Sequence, residues 1–214
     1  MASAGGLRCW DGPAGQGELE ALVGWAAVGP VPLGTDLDAS QRLQLADVPL
    51  PGVPPWLGLD RALAGWQAHR RSGSAVLVAD AGTALSLTRV TGEGCFAGGR
   101  LLAGAGLQLQ ALAGATAALP RLALPPRLPL AAWPSSTAEA MAAGVGRALA
   151  AAVAQAAWEA QADGQVCCLW ITGGDGELLA PLVEELLAGS PIAVHRAPQL
   201  VLEALAALRP GPAR

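Results

Sequence analysis

Apolar and polar positions along this chain alternate between two rhythms. Ala75-Val76-Leu77-Val78-Ala79 is an unbroken apolar run that ends in an acid, Asp80. Such a run predicts a buried strand. Leu85, Leu87 and Val90 then recur as a second strand would place them, followed by a Gly-rich turn, Phe96 and the pair Gly98-Gly99. The pattern is that of a strand folding back as a hairpin. A third buried strand is predicted over Val166 to Ile171 and a short one over Ile192 to Val194. Helical spacing marks Ala62 to Ala68, closed by Arg70, Arg71 and Gly73, and again Leu107 to Ala118, Glu177 to Ala188 and Leu200 to Leu208. A long Ala-rich helix is predicted from about Ala138 to Ala162, with Ser135-Ser136-Thr137-Ala138-Glu139 as its capped start. Strands and helices alternate from Val76 onward, which predicts an α/β fold.

The remaining segments carry weaker patterns. Residues 1–18 are Gly-rich. Leu19 to Val28 suits a short helix leading into a strand, broken by Pro30, Pro32 and Gly34. Residues 35–56 read as loop with short strands around Leu43 to Leu45, and Pro49, Pro51, Pro54 and Pro55 disfavour helix. A Pro-rich loop covers 120–136, and 209–214 is expected to fray.

Composition narrows the chemistry. Of 214 residues, 52% are hydrophobic and 14% charged, so the chain can bury a sizeable core. A net charge of −4 argues against nucleic acid as a partner. All 13 basic residues are Arg. Without Lys there is no Walker-type phosphate loop and no Schiff-base mechanism. Without Tyr there is no tyrosyl acid. The two histidines, His69 and His195, lack the partner spacing of a triad or a zinc site. Cys9, Cys95, Cys167 and Cys168 form no CxxC and are expected to be reduced. The N-terminus lacks the pattern of a signal peptide. The Ala-rich run, carrying Glu139, Arg147, Gln155 and Glu159, reads as too polar to span a bilayer. These features predict a cytoplasmic protein that does not enter a membrane.

Two carboxylates stand out. Asp80 ends a buried strand and is followed by Gly82 and Thr83. An Asp-x-Gly-Thr turn suits a phosphate and its cation: the acid holds a metal or its water, glycine lets backbone approach, and the hydroxyl meets phosphate oxygen. An ordinary strand-end turn explains the same letters. Asp60, in Gly58-Leu59-Asp60-Arg61, lies at a helix start, where capping is the simplest role. A helix returning the chain to the next strand brings both acids to one cleft edge. Thr172-Gly173-Gly174-Asp175, between a strand and a helix, is a layout that places a nucleotide against backbone.

Taken together, six pieces in order resemble one family, type III pantothenate kinase, and look closest to its cyanobacterial forms. They are GLDR (Gly58–Arg61), DAGTA (Asp80–Ala84), GCFAGGRLLAG (Gly94–Gly104), ALAGATAALP (Ala111–Pro120), STAEAMAAG (Ser136–Gly144) and TGGD (Thr172–Asp175). The resemblance runs from about Pro49 to Leu208. It implies the actin-like ATPase (ASKHA) fold, with two similar α/β lobes: a truncated N-terminal lobe over 1–72 and a C-terminal lobe over 73–214. It implies ATP-dependent phosphorylation of the primary hydroxyl of pantothenate, the first step towards coenzyme A, in a homodimer.

Family roles carry over by position. Asp60 matches the general base, and Gly58, Leu59, Asp60 and Arg61 match the segment that holds pantothenate, where Arg61 can grip the substrate carboxylate with two hydrogen bonds. Asp80 matches the ligand of a monovalent cation, K+ or NH4+. Gly82, Thr83, Thr172, Gly173 and Gly174 match the ATP side, and Thr137 matches a pantothenate contact. With no Lys, charge neutralisation falls to Mg2+, the monovalent cation, Arg and backbone N–H groups.

Three departures accompany the match. Nothing corresponds to the family's opening strand-turn motif, D-x-G-N-T or I-G-N-S; Cys9-Trp10-Asp11 and Leu22 to Val28 look like the pieces that follow it. The expectation is a late gene start or a lost phosphate loop. A Tyr common before G-x-D-R is absent, with Pro54 there and Trp56 nearby. Ala103 stands where the G-G-x-I-x-P-G turn has Pro. The alternative is a catalytically impaired relative acting as a nucleotide-binding or regulatory protein.

Overall fold

The computed structural model describes residues 23–28, 31, 37–128, 131–162 and 167–209. The apolar run becomes strand β1, Ala75–Ala81, whose side chains alternate between two cores. Leu77, Ala79 and Ala81 enter one, Val76 and Val78 the other. A strand covered on both faces has no solvent side to mark with polar residues, hence the continuous run. Strand β2, Ala84–Val90, returns antiparallel to β1, and β3, Phe96–Ala103, lies antiparallel to β2. On the other side of β1, strand β4, Cys167–Thr172, runs parallel to it, and β5, Val194–Arg196, runs parallel to β4. The five strands therefore lie in the order β3-β2-β1-β4-β5.

Among the described residues, five α-helices complete three layers: α1, Leu59–Ser72; α2, Ala105–Ala115; α3, Thr137–Ala162; α4, Gly176–Leu186; and α5, Leu200–Leu208. Helices α1 and α5 bury Ala62, Leu63, Ala68, Leu200 and Ala204 against Val76, Val78, Val90 and Trp170. Helices α3 and α4 bury Met141, Val145, Leu149, Leu179 and Val183 against Leu85, Leu87, Leu169 and Ile171 on the opposite face. Each face of the sheet thus gains its own apolar cover, which is what stabilises this layering. The expected α/β class is borne out: an antiparallel β1–β2–β3 meander continues into parallel β4 and β5 within one mixed sheet.

Several local expectations change. The first part of the helix expected at Leu19 lies outside the described residues. Over 23–28 no helix forms, and Trp25 forms an isolated bridge with Arg42. No strand forms at Leu43 to Leu45; Leu45–Asp47 is a 3-10 turn, where the Asp47 carboxylate accepts the Gln44 N–H at 2.8 Å. A local acceptor competes with sheet pairing there. The last short strand sits later than expected, at Val194–Arg196, because the register with Leu169 to Ile171 selects it. Arg209, expected to fray, donates to Asp47 at 3.2 Å; 210–214 lie outside the described residues. The Ala-rich helix also differs from its reading: Thr137–Gln161 is long and apolar enough to cross a membrane by length and composition, but much of that surface is buried in the protein core.

Candidate active site

Helix α1 runs against β1 in the opposite direction, joined to it by the two residues Gly73 and Ser74. Its 14 residues rise about 21 Å. The 7 residues of β1 rise about 23 Å. The start of the helix and the end of the strand therefore meet at one level. Asp60 lies in the first turn of α1, and Asp80 is the penultimate residue of β1. Period-2 alternation puts Asp80 on the face of Val76 and Val78, the face that α1 covers. Burial, and after it the charge of Asp60, raises the Asp80 carboxyl above the ordinary aspartate range. The two acids lie close enough for one charge to act on the other, at one edge of the sheet.

Asp60 is not the helix cap. Gly58 occupies that position, and a side chain there would collide with Asp60 Oδ1, so the carboxylate folds back over the Gly58 backbone. Arg61 points inward and is 8% exposed. Its Nε donates to Thr88 Oγ1 at 3.1 Å and its Nη2 to the Leu87 carbonyl at 3.5 Å. Burial lowers the guanidinium below its ordinary range, opposed by the Asp60 charge.

The residues expected on the nucleotide side gather at the same edge. Asp80 is in register with Ser86 on β2 and with Thr172 on β4. Thr172 is buried, Gly82 half-buried, and Thr83 and Gly174 exposed. Gly173 has φ +87°, and a Cβ there would overlap the Ala81 carbonyl and Asp80 Oδ1. Glycine is therefore required both by conformation and by the approach of the two turns. The Asp175 N–H donates to the Ala81 carbonyl at 2.9 Å, tying the turn after β4 to the end of β1. Burial raises the Asp175 carboxyl. These turns line up backbone beside the start of α4, where partial positive charge favours an anion.

Thr137 belongs to a different element. It is exposed at the start of α3, on the opposite face of the sheet from α1. Capping there is done by Ser136, whose Oγ accepts the Glu139 N–H at 3.3 Å and donates to Glu139 Oε2 at 2.9 Å. Trp56 is exposed just before Gly58. A cavity of about 450 Å³ lies elsewhere, among Leu77, Leu87, Arg100 and Glu159, and none of the expected site residues lines it. Among the described residues, no cluster of three or more His, Cys, Asp or Glu side chains is placed to hold a metal.

The sequence alone did not single out Ser86 and Thr88 as site residues, and it marked Gly99 only as part of a turn. A signal for the first two was present: polar residues alternate with Leu85 and Leu87 along β2, yet both are buried. Buried polar side chains on a strand need partners, and these face the cleft side of the sheet.

A profile of the type III pantothenate kinase family matches residues 52–159, which span GLDR, the β1–β2–β3 hairpin extension and most of α3. The type III pantothenate kinase of Synechococcus sp. strain JA-3-3Ab is 42% identical over 185 residues, covering 86% of this chain and 74% of the relative. That of Thermosynechococcus vestitus is 44% identical over 165 residues, covering 76% of this chain but 62% of the relative. Among solved structures, a protein described as a Baf family transcriptional activator from Campylobacter jejuni superposes with a TM-score of 0.58 at 21% identity. It covers 79% of this chain and 72% of its own, and shows the shared fold. Motif order, cleft placement and these matches agree: the chain belongs to the type III pantothenate kinase family.

Proposed function

We propose that this chain phosphorylates the primary hydroxyl of pantothenate from ATP, giving 4'-phosphopantothenate on the route to coenzyme A. The observation that supports this best is the convergence of Asp60 and Asp80 on one edge of the sheet. Asp60 accepts the proton of the attacking hydroxyl late in the transfer. Phosphoryl transfer otherwise relies on positioning and charge neutralisation. Gly58 to Arg61 hold pantothenate. Gly82, Thr83 and Thr172 to Gly174 contact the nucleotide phosphates through hydroxyl and backbone N–H groups.

A monovalent cation, K+ or NH4+, fits at Asp80. That half-buried carboxylate lies close enough to Asp60 for repulsion to raise its pKa, and a bound cation relieves both penalties. Mg2+ fits as an ion carried by ATP phosphates, since the described residues build no cage for it. When bound, these cations supply the positive charge that the triphosphate requires. Thr137 remains a proposed pantothenate contact. The chain acts in the cytoplasm as a homodimer, a reading supported by the exposed Leu107 and Leu112 on α2. The division into an N-terminal portion, 1–72, and a C-terminal lobe, 73–214, is likewise proposed, with α1 docked on the sheet of the latter.

The test is a phosphorylation assay with ATP and pantothenate, product identified by mass spectrometry. Asp60→Asn should lower the rate by about 10²-fold or more while ATP binding persists. Equal turnover by the variant would remove Asp60 as the base. ATP binding without any turnover by the unsubstituted chain would favour the regulatory alternative.

A further inference from the structure

Thr88 is 1% exposed in the middle of β2, on the cleft side of the sheet. Its Oγ1 accepts Arg61 Nε at 3.1 Å, while the neighbouring Leu87 carbonyl takes Nη2 at 3.5 Å. Gly99, in register with Thr88 on β3, leaves the room: a Cβ there would overlap both the Leu87 carbonyl and Arg61 Nη2. A guanidinium can meet a carboxylate through its Nε/Nη2 side or through its Nη1/Nη2 end. Here the side edge is committed to the protein. Nη1 has no hydrogen bond among the described residues, and no Arg61 nitrogen is among their buried unpartnered atoms, so its terminal edge stays within reach of solvent.

We propose that Thr88, seated against Gly99, is a positioning residue that turns the terminal Nη1/Nη2 edge of Arg61 towards the carboxylate of the substrate. It acts through Arg61 and does not touch substrate. The inference rests on the pantothenate reading of the site.

Calorimetric titration of the full chain with pantothenate, and with pantothenol, in which a primary alcohol replaces the carboxylate, tests it. Thr88→Val keeps the shape and removes the acceptor. It should weaken pantothenate binding five- to tenfold, the usual worth of one such hydrogen bond. Pantothenol binding should change less than twofold, and Thr88→Ser should bind pantothenate as the unsubstituted chain does. Pantothenate affinity within twofold of the unsubstituted chain in Thr88→Val overturns the proposal, as does an equal loss for both ligands. If Thr88→Val does not fold, Thr88→Ser against Thr88→Ala gives the same comparison, and equal affinities there overturn it. Failure of the unsubstituted chain to bind pantothenate is a separate outcome: it overturns the substrate reading itself and this inference with it.

Discussion

Asp80 carries a charge that its surroundings oppose. Burial and the Asp60 carboxylate both raise its pKa, so the folded protein holds the Asp80 proton more tightly than the unfolded chain does. Stability from this group is therefore full below the ordinary aspartate pKa and falls as pH rises through the raised one. In a buffer whose only cation is tetramethylammonium, Asp80→Asn should melt at a higher temperature than the unsubstituted chain at pH 7. The gap should close below about pH 4. Thermal melts at the two pH values check this; a variant that melts lower at pH 7 would contradict it. The sequence showed Asp80 at the end of an apolar run. It did not show the repulsion, which needs Asp60 across the helix–strand contact.

At the scale of elements, the strands that frame the cleft were the most legible. Expected and observed bounds of β1 and β4 agree closely, because a strand buried on both faces writes itself as a continuous apolar run, while β2 was marked by the period-2 recurrence of Leu85 and Leu87. The last helix, Leu200–Leu208, falls where its spacing put it. Short pieces around Trp25 and Leu43 were misread, since a strand needs a partner and only an isolated bridge is found there. Helix α3 is tied to the sheet by side chains such as Leu149, 1% exposed. Leu149→Ala should cost about 2–5 kcal/mol. For a chain of this size that lowers the melting temperature by roughly 4–20 °C. Scanning calorimetry measures it, and a loss under 2 °C would mean that α3 is not part of the cooperative core. Gly173→Ala belongs to this scale as well. It forces the turn after β4 away from the end of β1, so it should destabilise the fold and weaken ATP binding together, read by melting and by nucleotide titration.

For the whole molecule, the proposed cation site links ligand binding to folding. A cation bound only by the folded state at ten times its dissociation constant adds about 1.4 kcal/mol. That corresponds to roughly 3–6 °C in melting temperature. Potassium chloride should give this rise over tetramethylammonium chloride at equal ionic strength, and Asp80→Asn should abolish it. An identical response in the variant would place the ion elsewhere or reduce the effect to screening. Sedimentation of the chain at micromolar concentration tests the homodimer at the same scale; a monomer throughout would remove it.

Local order was set by the sequence. Alternation, breakers and caps depend on residues a few positions apart, so the strand–helix succession, the absence of Lys chemistry and the six family motifs could all be read along the chain. Convergence was decided by the tertiary structure. Asp60 and Asp80 share an edge because an antiparallel helix and strand of matched length bring the start of one beside the end of the other. Arg61 faces inward because Thr88 and the Leu87 carbonyl offer acceptors on a strand more than twenty residues away. The helix that Thr137 opens packs on the other face of the sheet. Contacts between residues distant in sequence depend on packing, and no local pattern encodes them.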